Sequence, residues 1–351
     1  MDQKRKKQLL WQLPFLTVLI VGTVLIVRQQ HTMPYQKASG LIFGTTYHIT
    51  YQWADDLKAP IEARLQQVDA ALSMFNEQSV ITHINQGDET IPDTPEGRMF
   101  LDVCRRAMQI SADTDGAFDI TVAPLVNLWG FGFKQGTPPT PHSIDSIRRI
   151  VGYQKLTIGQ APHGLAAIHK SDPRMMLDCS AIAKGYGVDV VAQLLWDRGV
   201  RNFIVEIGGE VVTRGVNPQR VPWAIGVTKP VDDSLATAHT FQTILNVTDK
   251  AMATSGNYRN YYYKDGRKYA HTVDPHTGRP VQHSLLSATV LADDCATADA
   301  YATAFMVMGL DSARTLLRRH PELMAYLIYS STDGTNATWY SPTLRSKIQD
   351  N

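Results

Sequence analysis

Apolar and polar positions along this chain fall into two regimes. From Leu9 to Val27 the chain is almost continuously apolar, interrupted only by mild polar residues and Pro14. Beyond a polar stretch at about residues 29–38 the pattern becomes periodic. Ile42, Gly44, Thr46, His48 and Thr50 alternate against the other face, predicting a strand from Gly40 to Tyr51. Leu57, Ile61, Leu65, Val68 and Leu72 recur at helical spacing and predict an amphipathic helix. Thr94-Pro95 supplies an N-cap and first-turn pair for a second helix carrying Phe100, Val103, Ala107 and Ile110. Ile144, Ile147 and Ile150 suggest a short third one. Ser180 to Trp196 has the pattern of a long helix stopping at Gly199, and Asn202 to Glu206 that of a buried strand. Tyr258–Tyr263 and Lys268–Ala270 flank Asp265-Gly266 as the arms of a hairpin would. The last clear helix runs from about Asp294 to Met308 and ends at Gly309. Strands predominate between about 200 and 292 and helices are spread elsewhere, so the fold class is α+β rather than a βαβ series.

The apolar N-terminal run changes the picture first. Lys4-Arg5-Lys6-Lys7 precedes it and only Arg28 follows closely. Its length matches the roughly 20 residues that cross a bilayer, and the charge asymmetry places the N-terminus in the cytoplasm. A cleaved signal peptide is the alternative, but no small-x-small cleavage site follows, and no cysteine stands nearby for lipid attachment. The expected organisation is a basic tail (1–8), a transmembrane signal anchor (9–28), a linker (29–38) and one folded body (39–345). The body would then lie across the membrane from the N-terminus, held to it by a single pass.

Composition narrows the classes. With 44% hydrophobic and 19% charged residues over 351 positions, the chain is globular and long enough to bury a large core. Its net charge of +1 gives no electrostatic footprint for nucleic acid. Cys104, Cys179 and Cys295 show no metal-site spacing and read as small buried apolar residues.

Four segments carry candidate chemistry. In His271-Thr272-Val273-Asp274-Pro275-His276-Thr277-Gly278-Arg279-Pro280, two imidazoles, a carboxylate and a guanidinium sit on a turn shaped by Pro275 and Gly278. It is either a presented set of reactive groups or a solvated loop whose Asp274 caps its own turn. Asp115-Gly116-Ala117-Phe118-Asp119-Ile120-Thr121 places a carboxylate after a glycine turn, at an expected helix-to-strand junction. In Leu177-Asp178-Cys179-Ser180 an expected strand ends at Asp178 and a helix starts, with Lys184 one turn in. That helix start either takes an anion, aided by the lysine, or is simply capped by Ser180 or Asp178. Asp299 and Thr303 are four apart, hence on one helical face amid small residues. They are half of a hard-cation site for Mg²⁺, or a solvated pair.

These segments, in this order, resemble the ApbE family of flavin transferases, which move FMN from FAD onto a target protein. The resemblance spans the body from Gly44-Thr45-Thr46-Tyr47 to the last clear helix. It includes Gly116 to Val126, Asp178 to Gly187, Glu206-Ile207-Gly208-Gly209-Glu210, Thr254-Ser255-Gly256-Asn257-Tyr258, His271 to Pro280 and Asp299 to Thr303. It implies a T-fold-like α+β body of two associated lobes behind the N-terminal transmembrane helix. It also implies FAD as substrate and Mg²⁺ as cofactor, the metal held by the Ala181 carbonyl, Asp299 and Thr303. FAD would meet Ala117, Phe118, Asp119, Asp178, Lys184, Val273 and, where relatives vary, Phe43 and Phe75.

The chemistry of a phosphoanhydride then implies roles. An acceptor Thr or Ser hydroxyl attacks the FMN-side phosphorus and AMP leaves. His271 is the candidate base, Asp274 its orienter and Lys184 an anion clamp. The family's acceptors carry a D-x-x-(S/T)-G-A-T pattern. Asp333-Gly334-Thr335-Asn336-Ala337-Thr338 is one residue short and lacks the glycine, so self-flavinylation is not expected. Membrane attachment suggests flavoprotein subunits of a membrane respiratory complex as partners, by analogy. The alternatives are a Mg²⁺-dependent FAD pyrophosphatase giving FMN and AMP, and a periplasmic flavin-binding protein without turnover.

Overall fold

The computed structural model describes residues 12, 14–24, 33–132, 139–230, 241–257, 261–264 and 267–349. Its centre is an eight-stranded sheet in which every neighbouring pair is antiparallel. Across the sheet the strands are β1 (Tyr35–Ile42), β2 (Thr45–Gln52), β3 (Phe203–Ile207), β4 (Glu210–Arg214), β5 (Ala251–Gly256), β6 (Leu285–Ala292), β7 (Met324–Ser330) and β8 (Asn336–Tyr340). Spatial order follows chain order, yet the long gap between β6 and β7 is filled by helices, and that between β2 and β3 by helices and a three-stranded sheet of Thr90–Ile91, Ala166–Lys170 and Leu156–Gly159. This is the α+β arrangement that the pattern predicts.

The alternation reads directly into the sheet. Tyr47, Ile49 and Tyr51 of β2 and Phe203, Val205 and Ile207 of β3 are buried, packing with Ile61 and Leu65 of helix α1 (Lys58–Leu72). Helix α2 (Pro95–Asp113) starts where predicted, Thr94 accepting from the Gly97 N–H with Pro95 in the first turn. Helices α3 (Ser180–Asp197) and α4 (Cys295–Met308) follow within a residue or two of their expected bounds. Together with α1 and α2, α3 and α4 form the layer over one face. The other face is covered by the hairpin Trp223–Thr228 and Phe241–Val247, through Val227, Leu245 and Val247 against Met252, Leu291, Tyr326 and Ile328. A small apolar cluster of Leu125, Trp129, Ile144, Val151 and Val273 stands apart. All three cysteines are buried and free.

Several sequence expectations are corrected. The single strand over Gly40–Tyr51 is two strands, because Phe43 (φ 51°) and Gly44 (φ 72°) form a left-handed two-residue turn between β1 and β2. Asp119 lies between α2 and the short helix Ala123–Leu128, so the junction is helix to helix. Leu177-Asp178 is not a strand. Asn85 imitates a strand partner there, accepting from the Leu177 N–H at 2.7 Å and donating to its carbonyl at 2.9 Å. The helix ending at Gly309 is followed at once by α5 (Leu310–Arg319) and then by β7 and β8. The hairpin arms pair as Tyr261–Lys264 with Arg267–Ala270, while Asp265-Gly266 lies outside the described residues. Residues 14–24 are helical, while 9–11, 13 and 25–28 of the predicted 9–28 span lie outside the described residues. Among those described, no helix is long and apolar enough to cross a membrane.

Candidate active site

One cavity of about 1390 Å³ opens between the sheet, the start of α3, the face of α4 and the turn around Val273. That exceeds the usual range of small-molecule pockets and suits a ligand of dinucleotide size. Its walls include Phe75, Ala117, Phe118, Asp119, Asp178, Ala181, Lys184, His271, Val273, Asp299 and Thr303. The structure thus brings together all but two of the residues singled out from the sequence.

The exceptions are Phe43 and Asp274, neither of which lines the cavity. Phe43 sits on the β1–β2 turn with its ring against Gly187 of α3, so close that a Cβ there would be 2.7 Å from the ring. Its apolar character alone could not reveal this packing against α3. Asp274 instead accepts at Oδ1 from the His276 N–H (2.9 Å) and faces His276 Nδ1 at 3.2 Å. The capped-turn reading therefore describes Asp274. His276 Nε2 in turn lies 2.7 Å from the Asp115 carbonyl, tying this turn to the Asp115–Asp119 turn. Of the two imidazoles, one faces the cavity and the other joins its walls.

Gly278 completes the turn at φ 66°, donating its N–H to the Asp274 carbonyl at 2.8 Å, while Trp129 Nε1 donates to the Gly278 carbonyl at 2.7 Å. Val273-Asp274 and Arg279-Pro280 pair as a miniature hairpin. The opposite turn is held by Asp119. Its Oδ1 accepts from the Thr121 N–H and hydroxyl, and Oδ2 from the Tyr153 N–H. Burial raises the Asp119 pKa against these donors. Asp178 Oδ1 accepts from the Ser180 N–H at 2.7 Å, and burial raises its pKa too.

The polar centre is a triad of two buried carboxyls and a partly exposed lysine. Lys184 Nζ lies 3.3 Å from Glu210 Oε1 and 4.0 Å from Asp299 Oδ2. Burial works against the ammonium, but Asp299 and Glu210 outweigh it and raise its pKa. Burial pushes both carboxyls up. Two carboxylates share one ammonium, so with all three ionised the triad is short of one positive charge. Glu210 Oε2 is buried without a hydrogen-bond partner. The β3–β4 turn makes room for this arrangement: Gly208, at φ 63°, would carry a Cβ 3.3 Å from Lys184 Cδ.

Oxygen donors converge beside the triad. In a helix the Gly185 N–H faces the Ala181 carbonyl four residues back. It also donates to Asp299 Oδ2 at 3.1 Å. The Ala181 carbonyl and the Asp299 carboxylate therefore approach one N–H from two helices. Thr303 follows Asp299 by one turn, its Oγ1 3.1 Å from Ser255 Oγ. A carboxylate, a carbonyl and a hydroxyl beside a positive-charge deficit suit a hard cation that takes its other ligands from phosphate and water. Among the described residues no cluster of three or more His, Cys, Asp or Glu is placed to hold a metal.

Sequence reasoning gave Glu210 and His276 no role. A signal for Glu210 was present: a lysine flanked by small and apolar residues in a helix calls for a carboxylate partner.

A family model described as the ApbE family matches residues 43–328. The FAD:protein FMN transferase of Escherichia coli (strain K12) is 36% identical over 323 residues, covering 90% of each chain. That of Vibrio cholerae serotype O1 is 38% identical over 304 residues, covering 84% of this chain and 88% of the relative. The solved flavin transferase ApbE from Vibrio cholerae superposes with a TM-score of 0.79 at 35% identity, over 90% of this chain and 99% of that one. Pseudomonas stutzeri flavinyl transferase ApbE, apo form, gives 0.77 at 32% identity, over 91% and 98%.

Proposed function

The chain belongs to the ApbE family, and we propose that it transfers FMN from FAD to a Thr or Ser hydroxyl of a target flavoprotein, releasing AMP. The observation that carries the chemistry is a single cavity with an anion clamp, a cluster of oxygen donors and an imidazole on its walls. FAD is the substrate. Ala117, Phe118, Asp119, Asp178 and Val273 line its seat, with Phe75 exposed at the rim. Lys184 neutralises the pyrophosphate from within the triad.

Mg²⁺ fits the Ala181 carbonyl, Asp299 carboxylate and Thr303 hydroxyl, and when bound it offsets phosphate charge for an in-line attack. His271 takes the proton of the acceptor hydroxyl as its oxygen bonds to the FMN-side phosphorus and the anhydride P–O bond breaks toward AMP. Asp274 acts at one remove, by holding the turn through His276. The helix-covered sheet and the segment built around Leu125, Trp129 and Val151 supply the two lobes of a T-fold-like body.

The apolar stretch at 9–28 anchors the chain in the inner membrane with the body in the periplasm, which suits acceptors bearing a D-x-x-(S/T)-G-A-T-like motif in membrane respiratory complexes. Retention in the pellet after carbonate extraction is the expected result; release would remove the anchor. For the activity, the full chain is incubated with FAD, MgCl₂ and an acceptor carrying that motif. Flavin fluorescence on the denatured acceptor with equimolar AMP is expected. Free FMN with AMP would instead support hydrolysis, and intact FAD would leave binding alone.

A further inference from the structure

Two stripes of residues bring the oxygen donors together. On α3 they are Ala181, Gly185 and Asp189; on α4 they are Cys295, Asp299 and Thr303, each stripe spaced by four. A Cβ on Gly185 would lie 2.4 Å from the Cys295 carbonyl oxygen and 2.9 Å from Ala296 Cα, so the two backbones are in contact there. One turn further along α3, Asp189 Oδ1 accepts from the Cys295 N–H and Oδ2 from the Ala296 N–H, both at 2.8 Å.

The first turn of α4 is therefore closed from two sides. Asp294, its N-cap, accepts from the Thr297 N–H at 2.8 Å and, through its carbonyl, from the Ala298 N–H at 3.2 Å. Asp189 takes the two remaining amides from a different helix. The amides of the first three helical residues, which have no partner within the helix, are thus all taken by side chains, and a carboxylate sits at the positive end of the helix dipole. The two caps differ in what they fix. Asp294, paired with Arg106, stabilises α4. Asp189 locks α4 to α3 in one register. Helices slide in steps of 1.5 Å per residue, enough to part the Ala181 carbonyl from Asp299.

We infer that Asp189 is a positioning residue for the cation site, clamping α4 onto α3 so that the Ala181 carbonyl, Asp299 and Thr303 stay convergent. The inference rests on the reading of that donor set as a Mg²⁺ site. In Asp189→Asn one side-chain oxygen still accepts an amide, but the amide nitrogen confronts the second N–H and the anionic charge is gone. Outer groups that orient ligands typically change metal affinity by about 10–100-fold.

The test uses the full chain and MgCl₂, reading the Mg²⁺ midpoint of flavin fluorescence quenching on FAD binding and, without FAD, of the rise in Tm. Asp189→Asn is expected to raise both midpoints about tenfold while reaching the wild-type plateau. Asp294→Asn is expected to lower Tm and leave the midpoints alone. Equal midpoint shifts in the two variants, or none in Asp189→Asn, would overturn the inference. A wild-type chain indifferent to Mg²⁺ would instead remove the cation reading beneath it. Should Asp189→Asn fail to fold, Gly185→Ala, which spares the cap but spreads the same helices, must raise the midpoints, and an unchanged midpoint there is equally fatal.

Discussion

Replacing Lys184 by Met tests the polar centre most directly. Glu210 and Asp299 are 3% and 2% exposed, and Lys184 is their shared counter-ion at 3.3 and 4.0 Å. Methionine keeps most of the side-chain volume, so little packing is lost. Removing one member of a buried ion pair costs about 3–5 kcal/mol, because the remaining charge stays desolvated. The Lys184 side chain is 30% exposed toward the cavity, and water entering there brings the expected loss to about 3 kcal/mol. With a urea slope of about 3 kcal/mol per M, the upper end for small domains, the unfolding midpoint falls by about 1 M. The measurement is urea unfolding in EDTA at neutral pH, comparing Lys184→Met, Glu210→Gln and the double variant. Glu210→Gln leaves Lys184 a one-to-one pair with Asp299 and should change stability by less than about 1 kcal/mol, and the double variant should recover part of the Lys184→Met loss. A Lys184→Met midpoint within 0.3 M of wild type (about 1 kcal/mol by the same slope), or strictly additive losses, would refute the shared-counter-ion account.

His271→Ala should lower the transfer rate about 10²–10⁴-fold and leave residual activity, whereas Asp299→Ala should lower it further; wild-type transfer by His271→Ala would remove the assignment. Gly278→Ala places a methyl on a φ of 66° and within 2.8 Å of the Ile144 side chain, so a loss of about 1–3 kcal/mol with a weakened FAD affinity is expected from thermal unfolding and flavin titration. Burial pushes the Asp189 carboxyl up to about 7, against the pull of the two amides it accepts from. A carboxyl with a raised folded pKa binds its proton more tightly in the folded chain, so its contribution is fully present below about pH 4 and is lost as pH rises toward 7. Stability should fall by up to a few kcal/mol across that window, and Asp189→Asn should flatten this component; an unchanged slope in the variant would remove Asp189 as its source.

Much of the framework was legible because it is local. The Thr94-Pro95 cap, the stops at Gly199 and Gly309 and the alternation through Tyr47, Ile49 and Tyr51 depend on neighbours within one turn or two strand residues. The β1–β2 turn was missed because Phe43 in a left-handed conformation is no turn signal, although Gly44 beside it is one. The placement of Asp274 and Phe43 outside the cavity lining was not legible for a related reason. A residue type shows that a side chain is able to bind, not whether a neighbour such as His276 or Gly187 has already taken it.

The amino-acid order alone thus determined five of the helices with the Thr94 cap, the strand across Phe203–Ile207, the α+β class and the set of segments that carry chemistry. Only tertiary structure decided which atoms meet. The Gly185 N–H finds Asp299 across 114 residues, and Asp189 finds the start of α4 across 106. Such contacts depend on the register of one helix against another and on the approach that Gly185 permits. They leave no periodicity or spacing in the chain, since the energy that selects them arises only when the two surfaces are packed.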